Sequence, residues 1–171
     1  LEGRVALVTG ASRGIGAAVA KASAAAGEPV LLLARTVGGL EEVDDAIRAA
    51  GGTATLLPLD LMKPEQIAAL GPALAEKFRR LDILVANAGI LGPLSPVAMS
   101  NPKDWEAPFR LNVMANYNLI RTLDPLLRGS DAGRAIFVTA SAAHARTAFW
   151  SAYAASKAAL EEMAATYAQE V

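Results

Sequence analysis

Residues 5–16 read Val5-Ala6-Leu7-Val8-Thr9-Gly10-Ala11-Ser12-Arg13-Gly14-Ile15-Gly16, and an alanine-rich stretch follows. A short β-branched run, a turn carrying three glycines and then helix-forming residues describe a strand that passes through a tight loop into a helix. The G-x-x-x-G-x-G spacing lets the backbone turn sharply, approach a pyrophosphate closely and bring the helix down onto the sheet. The first N–H groups of that helix and its dipole then face the anion. The turn reads as a dinucleotide cradle in which Gly10, Ser12, Arg13, Gly14, Ile15 and Gly16 meet the cofactor. The competing reading is a strand-to-helix turn that merely needs glycine.

Outward from this turn, the chain alternates short apolar runs with longer helical patterns. Strands are expected at Val5–Thr9, Val30–Ala34, Thr53–Leu57, Ile83–Ala86 and Ala135–Thr139. Helices are expected at about Gly14–Ala26, Leu40–Ala50, Pro64–Arg79, Lys103–Leu127 with a break near Pro108, and Ser151–Gln169. Gly27 and Gly51-Gly52 stand where helix C-caps belong, and Pro64 where a first helical turn begins. Each strand-to-strand connection is long enough for a right-handed crossover, so the pattern predicts an α/β fold with a doubly wound parallel sheet and helices on both faces. No repeat or linker divides it, and residues 1–171 read as one domain.

Composition removes several classes of function. Sixteen Lys and Arg against seventeen Asp and Glu leave a net charge of −1, so no broad basic surface tracks a nucleic acid. With no cysteine and one histidine, His144, the usual zinc or iron ligand sets cannot be assembled, and no metal is expected. His144, in a loop by this reading, is taken as solvated rather than catalytic. The longest apolar runs are of strand length, well short of the ~20 residues of a membrane helix. With no apolar stretch behind a basic start, the default compartment is the cytoplasm.

Two further places carry chemistry. After the second strand, where a carboxylate would bind the adenosine ribose of NAD, the chain reads Ala34-Arg35-Thr36. Arg35, with Arg13 of the glycine loop, suits a 2′-phosphate, which favours NADP(H) with NAD(H) as the alternative; the bland reading is two solvated arginines. Asp60 and Leu61 fall at the carboxyl edge of the sheet, where Asp60 either accepts from an adenine amino group or caps a turn. Farther on, Ser151-Ala152-Tyr153-Ala154-Ala155-Ser156-Lys157 puts Tyr153 and Lys157 on one helix face at i, i+4. A cation there favours the ionised phenol, making Tyr153 a general acid or base, against the competing reading of a surface pair.

The glycine turn, Asp60, Asn87-Ala88-Gly89, Asn112, Ser141 and Tyr153 with Lys157 follow the order and approximate spacing of the short-chain dehydrogenase/reductase family. Over its whole length the chain resembles the single-domain branch typified by 3-oxoacyl-carrier-protein reductases. The resemblance implies a Rossmann fold and an NAD(P)-dependent oxidoreductase acting on a small carbonyl or alcohol. It assigns Tyr153 as catalytic acid or base and Ser141 as the group that hydrogen-bonds the substrate oxygen. Lys157 would hold the nicotinamide ribose and act on Tyr153, and Asn112 would keep a water in a proton relay. Asn87, Ala88 and Gly89 would line the cofactor cleft. One departure stands out: Ser141 lies twelve positions before Tyr153, where thirteen is usual, and thirteen back lies Ala140. From the residues alone, Ser141 is equally a turn-stabilising serine, and Asn112, a poor helix former in a helical pattern, marks a local distortion or a polar surface position. Phe149 and Trp150 furnish either apolar substrate wall or packing.

Two rival functions are a non-catalytic nucleotide-binding redox sensor, which has no need of the Ser141, Tyr153, Lys157 and Asn112 set, and a sugar-nucleotide epimerase, which carries a different glycine spacing. By resemblance, copies associate as a homodimer or homotetramer through the helices carrying Asn112 and Tyr153, where Ala155, Ala158, Ala159 and Leu160 are expected on the outer face. Family members run on by roughly 70 to 80 residues, so the chain is expected to be truncated after the helix carrying Tyr153 and Lys157. Its sheet would then end on an uncovered edge, without the segment that closes over substrate.

Overall fold

The computed structural model describes residues 3–171. Five strands, β1 (Ala6–Thr9), β2 (Val30–Ala34), β3 (Ala54–Pro58), β4 (Ile83–Ala86) and β5 (Arg134–Phe137), form one sheet. All pair in parallel in the order β3-β2-β1-β4-β5. The order reverses at β1, so a crevice opens between the carboxyl ends of β1 and β4, where open α/β sheets hold ligands. The doubly wound fold read from the sequence is the one observed.

Period-2 alternation in the strands sorts their side chains into two cores. Leu7, Leu31, Leu33 and Leu84 face α3 (Pro64–Phe78) and α5 (Ala115–Arg128), meeting Ile67, Leu70, Leu74, Leu119 and Leu123. Val8, Leu32 and Val85 face α1 (Gly14–Ala25) and α2 (Val37–Ala49), meeting Ala17, Ala20, Leu40, Val43 and Ile47. Both faces of the central strands are buried, as near-continuous Leu and Val runs require. Pro58 ends β3 at an edge of the sheet, where its missing N–H costs no ladder bond.

The expected helix from Lys103 to Leu127 is three elements. α4 (Pro102–Pro108) is capped by Asn101, whose side chain accepts from Lys103 N. A π-helical stretch follows at Phe109–Met114, and α5 continues from it. Pro108 lacks the N–H that would carry α4 onward, and the wide turns take up the misfit. β5 ends at Phe137, two residues before the expected boundary, because the Val138 carbonyl leaves the ladder to accept from Lys157 Nζ at 2.7 Å. A short helix, α6 (Ala142–Ala145), stands where a loop was expected, and α7 (Ser151–Glu170) closes the chain. On α7, Leu160 is fully buried instead of lying on the outer face.

Candidate cofactor cleft and catalytic helix

The glycine turn is built by exclusion. Gly10 has φ +65°, and a Cβ there would stand 2.9 Å from Asn87 Nδ2 and 3.0 Å from Ala88 Cα. Gly16 is tighter still: its Cβ would meet the Gly10 carbonyl and the Asn87 amide, both nearer than atoms pack. These two glycines let α1 lie against the β1 and β4 ends. Gly14 is different, with φ +57° and nothing within 4 Å of its Cβ position, so the loop there faces open space. No side chain caps the N-terminus of α1, and no acidic residue stands in its first turn. Its N–H groups remain available to an anion.

Asn87 and Thr9 lock the mouth of this turn. The Thr9 hydroxyl accepts from the backbone N–H groups of Asn87 and Ala88, each at 3.0 Å, and donates to the Val85 carbonyl. Asn87 Nδ2 donates to the Thr9 carbonyl at 3.0 Å. Thr9 is fully buried, and its role was missed in the sequence. A threonine closing the first strand was the available signal.

A cleft of about 750 Å³ runs across the carboxyl ends of the strands. Its lining includes Gly10, Ser12, Arg13, Gly14 and Ile15 from the glycine turn, Arg35, Asp60 and Leu61 at its far end, and Asn87, Ala88 and Gly89 along its floor. The structure thus gathers into one wall all the expected cofactor residues except Gly16, buried behind the turn, and Tyr153 and Lys157. Arg13 and Arg35 are exposed on it. Asp60 is a turn cap, its Oδ1 accepting from Met62 N at 3.0 Å while its own N–H donates to Gln66 Oε1. The cradle suits a dinucleotide phosphate: open at Gly14, rich in free N–H groups and flanked by two cations.

At the Gly89 end the cleft meets the residues of the π-helical stretch and α7. Asn112 is fully buried, which removes its reading as a surface position. Its Oδ1 accepts from Ile90 N at 2.9 Å, and its Nδ2 donates to the Ile90 carbonyl and to Ser156 Oγ. Its backbone carbonyl accepts from Asn116 Nδ2 at 2.8 Å, so the π-helical distortion is held by side chains. Ser156 was not singled out in the sequence, although it stands beside Lys157; it bridges Asn112 to the Tyr153 carbonyl at 2.8 Å.

Lys157 is 3% exposed, so it is no surface residue. Its Nζ donates to Val138 O, lies 5.9 Å from the Tyr153 ring centroid and is 3.4 Å from where a Gly89 Cβ would stand. A side chain at Gly89 would come between this ammonium and the cleft. Burial pushes the Lys157 ammonium below its usual 10.5, with Glu161 opposing. Trp150 meets Tyr153 edge-on at 6.0 Å, and Trp105 Nε1 donates to Ser151 Oγ, fixing the start of α7. Phe149 has φ +73° and is exposed, its carbonyl accepting from Ser95 N.

Ser141 stands exposed at the start of α6 with no side-chain cap bond, so its hydroxyl is not spent on stabilising the turn. His144 lies in α6 and not in a loop. Its Nε2 is 2.6 Å from Glu161 Oε2, so it is paired where the sequence suggested simple solvation. Among the described residues no cluster of three or more His, Asp or Glu stands ready for a metal. No helix among them is long and apolar enough to cross a membrane.

A family model described as short chain dehydrogenase matches residues 4–171. The chain is 38% identical over 173 residues to a relative from Escherichia coli K12 named uncharacterized oxidoreductase YciK, covering 99% of this chain and 69% of that one. It is 37% identical over 172 residues to a fatty acyl-CoA reductase of Acinetobacter baylyi, spanning all of this chain and 58% of that relative's length. A solved short chain dehydrogenase from Shigella flexneri 2a complexed with NADP superposes with a TM-score of 0.95 at 38% identity, over 99% of this chain and 72% of that one.

Proposed function

The chain belongs to the short-chain dehydrogenase/reductase family, and on that footing we propose that it is an NADP(H)-dependent oxidoreductase interconverting a small carbonyl compound and its alcohol, with Tyr153 as proton donor or acceptor. The observation that carries this reading is the placement of Lys157. It is a buried ammonium one helical turn from Tyr153, reaching toward the end of a phosphate-suited cleft. An ammonium so placed, 5.9 Å from the Tyr153 ring centroid, orients whatever hydroxyls enter the cleft beside Gly89.

When bound, the nicotinamide supplies or accepts the hydride. The chain's own residues do the rest. α1's N-terminus, Gly14 and Ser12 receive the pyrophosphate, and Arg13 and Arg35 bind a 2′-phosphate, which favours NADP(H) over NAD(H). The NADP-bound Shigella relative supports the same preference. Ser141 offers its hydroxyl to the substrate oxygen, which takes the Tyr153 proton during reduction. Asn112 fixes the backbone around Ile90 and, through Ser156, the turn of α7 that carries Tyr153, and its segment is where a water would relay protons from Lys157. Exposed Met114 at the end of the π-helical stretch and Tyr117 on α5, with Ala155 on α7, support self-association through these helices as a homodimer or homotetramer.

The test is reduction of a ketone panel with NADPH by the protein and by Tyr153→Phe. Loss of the phenol is expected to lower kcat by at least about a hundredfold while NADPH still binds. Equal turnover in the two would remove the mechanism. Binding of NADPH with no turnover in either would favour the redox-sensor reading.

A further inference from the structure

Ser141 sits at the middle of a segment that α7 grips on both sides. Three residues before it, the Val138 carbonyl accepts from Lys157 Nζ at 2.7 Å. Three residues after it, His144 Nε2 lies 2.6 Å from Glu161 Oε2. The two gripping side chains are one turn apart on α7, in the i, i+4 relation that puts them on one face, with Tyr153 a further turn back. Between the grips the chain is tied to itself by bonds from Ala143 N to Ala140 O and from His144 N to Ser141 O. A displacement of His144 is therefore passed to Ser141 through a single turn. Among the described residues no other side-chain hydrogen bond joins residues 138–148 to α7.

We propose that the His144–Glu161 contact is a positioning pair that holds the Ser141 hydroxyl at a fixed height along α7 relative to the Tyr153 phenol. This inference rests on the reductase reading, in which the two hydroxyls share one substrate oxygen. The His144 side chain is 76% exposed and that of Glu161 28% exposed, so solvent screens the pair and the fold gains little from it. What the pair fixes is alignment, where a misplacement on the order of 1 Å reduces turnover as much as a hundredfold. Glu161 also favours the charged form of Lys157. His144, whose side chain is hydrogen-bonded to Glu161 and which is not among the cleft-lining residues, is the partner whose replacement isolates positioning.

The experiment compares His144→Ala, His144→Gln and the unaltered protein in steady-state reduction of aliphatic and aromatic ketones, in fluorescence titration with NADPH and in thermal unfolding. His144→Ala is expected to lower kcat by about tenfold with NADPH affinity and Tm unchanged. His144→Gln, whose amide N–H can reach Glu161, is expected to restore most of the loss. A kcat unchanged in His144→Ala, a loss equal in both variants, or a loss shared with NADPH affinity or Tm overturns the positioning role. An unaltered protein that binds NADPH and reduces no ketone overturns the reductase reading, and this inference with it.

Discussion

Arg35 stands at the end of β2, exposed, on the wall of the cleft that also carries Arg13. An arginine there presents a planar set of donors to a phosphate, whereas an aspartate would accept from ribose hydroxyls and repel that phosphate. Arg35→Asp is therefore expected to lower the ratio of kcat/KM for NADPH over NADH by about tenfold to a hundredfold. Paired steady-state measurements with the two cofactors check this, and an unchanged ratio would mean that Arg35 does not read the phosphate. Nearby residues do their work by being small. Gly16 admits no Cβ because the Gly10 carbonyl already occupies that space, while Gly14 leaves its space empty where a ligand would enter. The sequence alone marked all three glycines as necessary, but only the packing separates Gly10 and Gly16, which have no room for a Cβ, from Gly14, which does.

Elements behave differently from residues, because their boundaries depend on partners distant in the chain. The β-α alternation was legible since the strands carry largely apolar runs, α1 and α2 end near glycines and α3 begins at a proline. Pro108 announced a break, yet a π-helical stretch at Phe109–Met114 was not legible. It depends on Asn112 finding Ile90, twenty-two residues earlier, and Ser156, forty-four later. Likewise β5 stops early because of Lys157, and α6 appears in a segment whose local pattern suggested a loop. The distal half of α7 is joined to α5 by Tyr167, whose hydroxyl donates to Asp124 Oδ1 at 2.7 Å while Arg128 pairs with the same carboxylate and donates to the Glu170 carbonyl. Burial, and then the Asp124 hydrogen bond, push the Tyr167 phenol well above its usual 10, so it remains a donor throughout the ordinary pH range. Removing that donor with Tyr167→Phe is expected to cost about 1 kcal/mol, less than a buried hydrogen bond to a charged acceptor because Asp124 is partly solvated. Urea unfolding measures this. A variant as stable as the unaltered protein would show that the Tyr167 hydroxyl contributes nothing to holding α7 against α5.

At the scale of the molecule, the cleft end of the sheet is left open for ligands, and the opposite end is stapled through one carboxylate. Asp82, fully buried at the start of β4, accepts from Val5 N at 2.8 Å, from the Ser130 hydroxyl, and from Arg4 and Arg80. Its backbone completes the junction, its N–H donating to the Val5 carbonyl and its carbonyl accepting from Arg134 N. Three strands, β1, β4 and β5, are thereby registered at a single point, which fixes the spacing of their far ends, where Gly10 and Asn87 line the cleft and Val138 meets Lys157. Burial is the largest influence on this carboxyl and pushes it up. The hydrogen bonds from Ser130 and Val5 and the Arg80 guanidinium together outweigh it and hold Asp82 below its usual 3.8. A carboxyl with a depressed folded-state pKa stabilises the protein above its unfolded value and loses that contribution as pH falls through the folded one. Asp82→Asn is therefore expected to lower stability at pH 7 by roughly 2–3 kcal/mol, since the donors around it lose an ionised acceptor in a buried place. The gap to the unaltered protein should hold down to about pH 4 and close progressively below pH 3.8, once the native carboxyl is itself protonated. Denaturant unfolding at a series of pH values reads this directly, and a gap that persists at the same size into strong acid would mean that Asp82 acts by shape and not by charge.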